Sequence, residues 1–182
     1  MIKQLDMGKF EEYISQFPVY EYRILDTKGI QVRERVRTIC SQECERFGTT
    51  WACPPAVGSL EQCRDRISRY PQAVFFSSVA EVSDLMNMEE MLSTRKAHEE
   101  ITTAVGDFIK AAGHEIYILS TESCDLCSPC AYAEGKPCRY PDKMHPCLES
   151  HGVVANAIVE AQNMEYNLGG NTILWFSLIL FR

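Results

Sequence analysis

The sequence predicts an α+β fold in which a mixed or antiparallel sheet is backed by helices and carries two cysteine-rich metal-binding loops. Short apolar segments bounded by turn residues have the length of strands, and amphipathic segments with helical periodicity lie between them. Nine cysteines fall mainly into two groups. Because the chain has 182 residues, 46% of them apolar, it is long enough to bury a core, and we predict that residues 1–182 form one domain.

Periodicity and turn residues predict the elements of the N-terminal half. In chain order these are a helix over residues 10–17, a strand over 19–25, a turn over 26–29, a helix from 59 to about 70 and a strand over 73–79. Pro18 is expected to end the first helix, because proline cannot continue its hydrogen bonds. The motif Ser59-x-x-Gln62 has the spacing of a capping box, which places Cys63 near the start of a helix and on its apolar face.

The C-terminal half is predicted in the same way. Its elements are a long helix over residues 85–112, a strand over 115–120, a helix from 146 to about 164 and a strand over 172–181. Ser83-Asp84 is expected to cap the long helix, whose apolar stripe begins at Leu85 and whose methionines are expected to fill the core. His98 and His114 are expected at surface or hydrogen-bonded positions. The last strand is apolar on both faces, which predicts a central or covered place in the sheet.

The strongest functional signal is the run Cys124-x2-Cys127-x2-Cys130, followed by Cys138. Thiols at this spacing let one loop wrap three corners of a cubane, while the backbone N–H groups between them face the inorganic sulfides. Cys138 is the simplest fourth ligand. Zinc is the main alternative, although its sites usually pair two separated Cys-x-x-Cys units. The run therefore favours a [4Fe-4S] cluster.

A second group of thiols lies earlier in the chain, in the order Cys40-x3-Cys44-x8-Cys53 and then Cys63. The pair Pro54-Pro55 prevents a helix from starting there and holds Cys53 on a rigid extended turn. Cys63 has two interpretations. A thiol on an apolar helix face often packs as a small hydrophobic residue, whereas a position in the first helical turn favours a thiolate ligand.

Ligand counting leaves three arrangements open. In the first, the two groups each hold one cluster with four cysteines, and in the second they exchange a ligand as two-cluster ferredoxins do. In the third, only Cys40, Cys44 and Cys53 hold the first cluster, which leaves an open iron that could bind a substrate. His145 and Cys147 could form a further site, but we interpret Cys147 as a structural thiol near a helix start.

Composition limits the surroundings and partners of these thiols. Eighteen basic and 25 acidic residues give a net charge of −7, which argues against nucleic acid or an anionic membrane as the main partner. The N-terminal segment lacks the apolar core of a signal peptide, and the longest apolar run is too short to span a bilayer. We therefore expect a cytoplasmic protein, where disulfides are rare and cysteine groups usually bind metal.

The sequence contains no P-loop, no G-x-G-x-x-G after a strand, no nucleophile elbow and no H-E-x-x-H motif. The leading hypothesis is an iron–sulfur protein with one or two [4Fe-4S] clusters that transfers electrons to or from a redox partner protein. One alternative is an enzyme with an open iron at a cluster held by three cysteines. The other is an interaction module stabilised by zinc.

The combined motifs resemble a family of prokaryotic cysteine-rich proteins of unknown function that are predicted to bind metal. The matching motifs are Cys40-x3-Cys44, Phe47-Gly48-x2-Trp51-x-Cys53-Pro54-Pro55, Cys124-x2-Cys127-x2-Cys130, Gly135-Lys-Pro-Cys138-Arg139-Tyr-Pro141, Pro146-x-Leu148-Glu149 and Gly152-Val-Val. The resemblance implies metal binding, with iron–sulfur chemistry as its most direct form, and it does not supply a reaction. Serine is common in that pattern at position 147, and a cysteine at position 63 is common but not obligatory.

Overall fold

The computed structural model describes residues 4–182, so the first three residues of the predicted domain lie outside the described residues. The helices and strands are, in chain order, α1 (Met7–Ile14), β1 (Val19–Asp26), α2 (Glu34–Glu43), α3 (Leu60–Ser68), β2 (Gln72–Glu81), α4 (Met88–Ala111), β3 (Ile116–Leu119), α5 (Ala155–Ala161) and β4 (Thr172–Phe181). Short 3-10 turns occur at Thr27–Gly29, Ala131–Glu134 and Glu149–His151. The α+β prediction is confirmed.

The four strands form one antiparallel sheet in the order β1-β2-β4-β3. Strand β4 pairs with β2 on one side and with β3 on the other, which confirms its predicted central position. One face of the sheet packs against α1 and α4 through Phe10 and Val105, among others. The other face contributes Phe75 and Leu178 to a second core that includes Leu148. Burial on both faces explains why β4 is apolar except at Thr172 and Ser177.

Two helix starts show how local capping decides where a helix begins. The Ser59 side chain accepts the backbone N–H of Gln62, and the Gln62 side chain accepts that of Ser59, so the predicted capping box is confirmed. Helix α1 begins three residues before the predicted Phe10, because the Asp6 carboxylate accepts the N–H of Lys9 and caps it there.

The predicted start of the long helix at Leu85 is wrong. Helix α4 begins at Met88, because Asn87 caps it by accepting the backbone N–H of Glu90. The expectation that its methionines fill the core is also wrong for Met86 and Met88, which are 85% and 60% exposed. The end of the helix follows the prediction, since Gly113 has a positive φ directly after the C-cap.

Two further helix predictions differ from the structure. The predicted helix from residue 146 to about 164 is interrupted at Gly152, whose φ is +71°, so only α5 remains. Helix α2 was not predicted, because its residues were assigned to a cysteine loop. It has no buried residue, so its sequence lacks the apolar stripe from which helices are recognised.

His98 on α4 and His114, which follows the end of α4, are both buried. His98 bonds Ser78 through Nδ1 at 2.6 Å and Ser177 through Nε2 at 2.8 Å, which confirms a hydrogen-bonded position. His114 is 4% exposed, and within residues 4–182 neither of its ring nitrogens has a hydrogen-bond partner. The prediction was therefore wrong for His114, which packs its ring edge against Phe181 instead.

Among the helices described, none combines the length and the apolar character needed to cross a membrane.

We predict that Gly152→Ala lowers the free energy of unfolding more than Gly169→Ala does. Both glycines have φ above +70°, so each alanine carries a left-handed penalty of roughly 1–2 kcal/mol. Only at Gly152 would the new Cβ also meet neighbours, at 2.6 Å from Leu60 Cδ1 and 3.1 Å from the Arg33 carbonyl. Urea unfolding of the two variants measures the difference, and equal losses would show that the space around Gly152 is not limiting.

We also predict a loss of stability in mild acid that depends on His98. Burial lowers the pKa of His98 to about 4, below the unfolded value near 6.5. As the pH falls, the unfolded chain takes up the proton before the folded chain does. The contribution of His98 to the free energy of unfolding is therefore complete above pH 6.5 and is lost as the pH falls toward 4. Between pH 7 and 5 the loss is on the order of 2 kcal/mol. His98→Gln should flatten the dependence of unfolding free energy on pH, and an unchanged slope would contradict the assignment.

Candidate metal centre

The second cysteine group occupies the loop that follows β3. Its four thiols are free and half-buried. Burial raises the pKa of Cys124, and the charges of Cys127 and Cys138 raise it further, so these three side chains are neighbours. Cys130 joins them through a hydrogen bond that involves Cys127. The structure therefore brings together all four residues of the predicted group.

The surroundings of Cys130 favour its thiolate form. Burial acts to raise its pKa, but backbone N–H groups of Tyr132 and Trp51, the Cys127 side chain and the charge of Arg139 hold it below the usual value. Donors of this kind stabilise a thiolate, and they are the donors that surround sulfur in iron–sulfur sites.

Trp51, which lies in the segment of the first cysteine group, contacts the loop that carries the second group. Besides its backbone contact with Cys130, its indole Nε1 donates to the Lys136 carbonyl at 2.9 Å, and its ring meets the Tyr132 ring edge-on at 5.0 Å. On the other side of the loop, the Arg95 side chain on α4 donates to the Ser123 carbonyl at 3.1 Å and pairs with Asp125. The loop is thus attached to both the first cysteine group and helix α4.

Three thiols of the first group are also neighbours. Cys40 lies on α2, Cys44 caps that helix, and Cys53 follows in the next turn. Burial raises the pKa of Cys40 to about 11, with further contributions from the charges of Cys44, Glu149 and Cys53. The structure therefore assembles Cys40, Cys44 and Cys53 beside one acidic side chain.

Cys63 has different surroundings. Its side chain is fully buried on α3, and its sulfur lies 3.6 Å from Arg37 Nη1, 4.0 Å from Arg66 Nη1 and 3.7 Å from the Val57 carbonyl. Within the part of the chain that the structure describes, these are the polar contacts of its sulfur, and none is with another thiol. The position of Cys63 on the inner helix face was predicted, while its place between two arginines was not.

Cys147 lies closer to the first group than sequence reasoning suggested. Its backbone bridges Ser120 at the end of β3, and its sulfur accepts the N–H of Ser150 at 3.3 Å. Burial raises the pKa of Cys147, and the charges of Glu149 and Cys53 add to this effect, so Cys53 is a neighbour. No spacing signal links Cys147 to residues a hundred positions earlier, which is why the sequence did not group them.

The two cysteine groups touch through Ser123. Cys53 Sγ lies 3.1 Å from Ser123 Oγ, and Thr50 Oγ1 lies 3.3 Å from the same oxygen. Because Ser123 directly precedes Cys124, this contact places the first group beside the second. Together with Trp51, it joins the two groups into one continuous region of the protein.

Two arginines, one on α2 and one on α3, connect the segments next to the first group. Arg37 on α2 donates to the Gly58 carbonyl at 2.9 Å and to the Ser150 carbonyl at 3.0 Å. Arg66 on α3 lies 2.9 Å from His151 Nε2. Burial, and then the charges of the two arginines, lower the pKa of His151 to about 3, so the ring is neutral and Nε2 accepts from Arg66. We call Arg37 and Arg66 the arginine clamp.

Glu149 lies beside the first group, since its charge contributes to the raised pKa of Cys40. Its side chain is exposed to solvent, and burial of its carboxyl raises the pKa to about 7. The neighbouring charge of Glu122 raises the pKa as well.

A cavity of about 690 Å³ adjoins the second group between α4 and the loop residues Cys124 and His145. Glu99 reaches it from α4, 3.8 Å from His145 Nδ1 and hydrogen-bonded to Ser120. Burial acts to raise the pKa of Glu99, but the hydrogen bonds from His145 and Ser120 outweigh it and lower the pKa, so the carboxylate is ionised at neutral pH.

Within residues 4–182, no three His, Cys, Asp or Glu side chains meet at a point where they could share one metal ion. A cubane binds each thiolate to a different iron, so its ligands surround a common volume without meeting at one atom. The donor set of the second group, four neighbouring thiols with backbone N–H groups donated to Cys130, fits such a cluster.

Residues 23–181 match the family described as "Predicted metal-binding protein (DUF2284)". No curated protein and no solved structure matches the chain.

We predict that Arg37→Ala destabilises the fold by about 2 kcal/mol, because the carbonyls of Gly58 and Ser150 lose a charged donor. Arg35→Ala is the matched control, since Arg35 is an exposed residue of the same helix and its replacement should change stability by less than about 0.5 kcal/mol. Chemical unfolding measures both. Equal effects of the two variants would show that Arg37 does not hold these segments together.

Proposed function

Because the chain belongs to the DUF2284 family of predicted metal-binding proteins, we propose that its metal is iron, held as two [4Fe-4S] clusters that exchange electrons with a redox partner protein. The observation that carries this proposal is the meeting of the two cysteine groups at Ser123. Two groups of cysteines that adjoin through Ser123 suit a pair of electron-transfer centres, because electrons can pass between the centres over a short distance.

The second centre would be held by the four cysteines of the loop after β3, namely Cys124, Cys127, Cys130 and Cys138. The backbone N–H groups of Tyr132 and Trp51 donate to Cys130, and Arg139 offsets negative charge there. Such donors stabilise an anionic cluster and influence its potential. The charge of Arg139 is itself fixed in place, because its Nη1 donates to the Pro129 carbonyl at 2.8 Å.

The first centre would be held by Cys40, Cys44 and Cys53 together with a further thiol. When bound, a [4Fe-4S] cluster supplies reversible one-electron transfer at a potential set by its surroundings. The chain contributes two features to that chemistry. Ser123 contacts Cys53 and directly precedes Cys124, and the Trp51 ring meets the Tyr132 ring edge-on beside the second centre.

A redox partner protein has a surface to approach on the cysteine side of the molecule. Phe47 is 38% exposed beside the first group, and Leu126 and Tyr140 are 46% and 47% exposed beside the second. Apolar groups around a redox centre favour brief docking at a small interface, as electron-transfer partners require. We place this exchange in the cytoplasm, where thiols remain reduced and available for metal.

We predict that protein purified without oxygen is brown and contains about eight irons and about eight inorganic sulfides per chain. Cys127→Ser should lower the iron content to about four per chain, since it removes one ligand of the second centre. Ser128→Ala changes the adjacent side chain without removing a thiol, and it should keep the iron content of the unaltered protein.

Elemental analysis and visible absorption test this prediction together. A colourless protein that contains zinc and no sulfide would contradict the proposal and would support the zinc-stabilised module instead.

A further inference from the structure

We propose that Cys147 is the fourth ligand of the first centre, beside Cys40, Cys44 and Cys53, and that Cys63 is a structural thiol held by the arginine clamp. This inference rests on the proposed function, because it assigns a ligand of one of the two proposed clusters. It reverses the assignment that sequence order favours, in which Cys63 follows Cys53 as the next thiol.

The backbone around Cys147 fixes its position at the end of β3. Ser120 donates its N–H to the Pro146 carbonyl at 2.8 Å, and Leu148 donates its N–H to the Ser120 carbonyl at 3.0 Å. These bonds flank Cys147 on both sides and hold it in a parallel bridge with Ser120. Its sulfur is therefore presented from a rigid strand end and not from a mobile loop.

The same strand end leads to Cys53. Three residues beyond Ser120, the hydroxyl of Ser123 lies 3.1 Å from the Cys53 sulfur. Cys53 and Cys147 are thus both attached to the short segment between Ser120 and Ser123.

A second set of contacts connects Cys147 with the helix that carries Cys40. Arg37 lies three residues before Cys40 on α2, and it donates to the Ser150 carbonyl at 3.0 Å. Ser150 in turn donates its backbone N–H to the Cys147 sulfur at 3.3 Å. A backbone N–H donated to sulfur is the interaction that supports thiolate ligands in iron–sulfur sites.

The Cys63 sulfur has polar contacts other than the thiols of the first group. It faces Arg37, Arg66 and the Val57 carbonyl, and the side chain has no exposed surface. Arg37 is itself fixed by the carbonyls of Gly58 and Ser150, which it bonds at 2.9 and 3.0 Å. Within residues 4–182, the polar contacts of the Cys63 sulfur are therefore with the arginine clamp and Val57, and none is with a thiol of the first group.

The assignment has a functional consequence. With four thiolates the first cluster has no open iron, so it is suited to electron transfer and not to binding a substrate at a free coordination position. The alternative of an open-site enzyme would then require the loss of Cys147.

The test compares Cys147→Ala with Cys63→Ala, two identical changes at buried thiols. Both proteins are purified without oxygen, analysed for iron and sulfide, and examined by electron paramagnetic resonance before and after mild oxidation. We expect Cys63→Ala to keep the iron content and spectra of the unaltered protein. We expect Cys147→Ala either to retain about four irons per chain or to give a [3Fe-4S] signal on oxidation, because one iron has lost its thiolate and alanine offers no ligand atom.

The inference is overturned if Cys147→Ala keeps the spectra and iron content of the unaltered protein, or if Cys63→Ala loses a cluster while its far-ultraviolet circular dichroism is unchanged. Should the alanine at position 63 unfold the chain, Cys63→Ser takes its place, because serine keeps an atom at the position of the sulfur. The unaltered protein separates this result from the proposed function. If it holds no iron and sulfide, the proposed function fails, whereas an iron-loaded protein with the opposite response of the two variants refutes only the ligand assignment.

Discussion

Burial of thiols that lie close to one another is the physical constraint on which the cysteine region of this structure depends. Burial and nearby negative charge raise the pKa of Cys40, Cys124 and Cys147, so these thiols are held protonated as long as no cation lies among them. A bound metal removes that penalty and deprotonates its ligands, so metal binding and proton release are coupled.

The end of strand β3 and helix α2 position the cysteines of both groups. Strand β3 ends at Leu119, and the following residues carry Cys124 in one direction and pair with Cys147 in the other. Helix α2 brings Cys40 and Cys44, while Arg37 joins that helix to the turn at Ser150. The sheet thus fixes one side of the site, and a single arginine fixes the other. Both supports are contacts of the chain with itself.

The strands and the capped helix α3 could be predicted because their signals are local, as the Ser59–Gln62 capping box shows. Helix α2 could not, since it buries no side chain and so has no apolar period to detect. The second cysteine group was predictable because one loop contains all of it. The surroundings of Cys63 and Cys147 were not, because they depend on Arg37 and on pairing with a strand far away in the sequence.

The contact between Cys53 and Ser123 makes the closeness of the two proposed clusters the central claim of this account. Electron paramagnetic resonance of the fully reduced protein tests it most directly, because two paramagnetic clusters that are close together broaden and split each other's signals. We predict such an interaction spectrum, and it should collapse to a simple signal when one centre is removed. A fully reduced, iron-loaded protein whose spectrum is a sum of two independent signals would contradict the account.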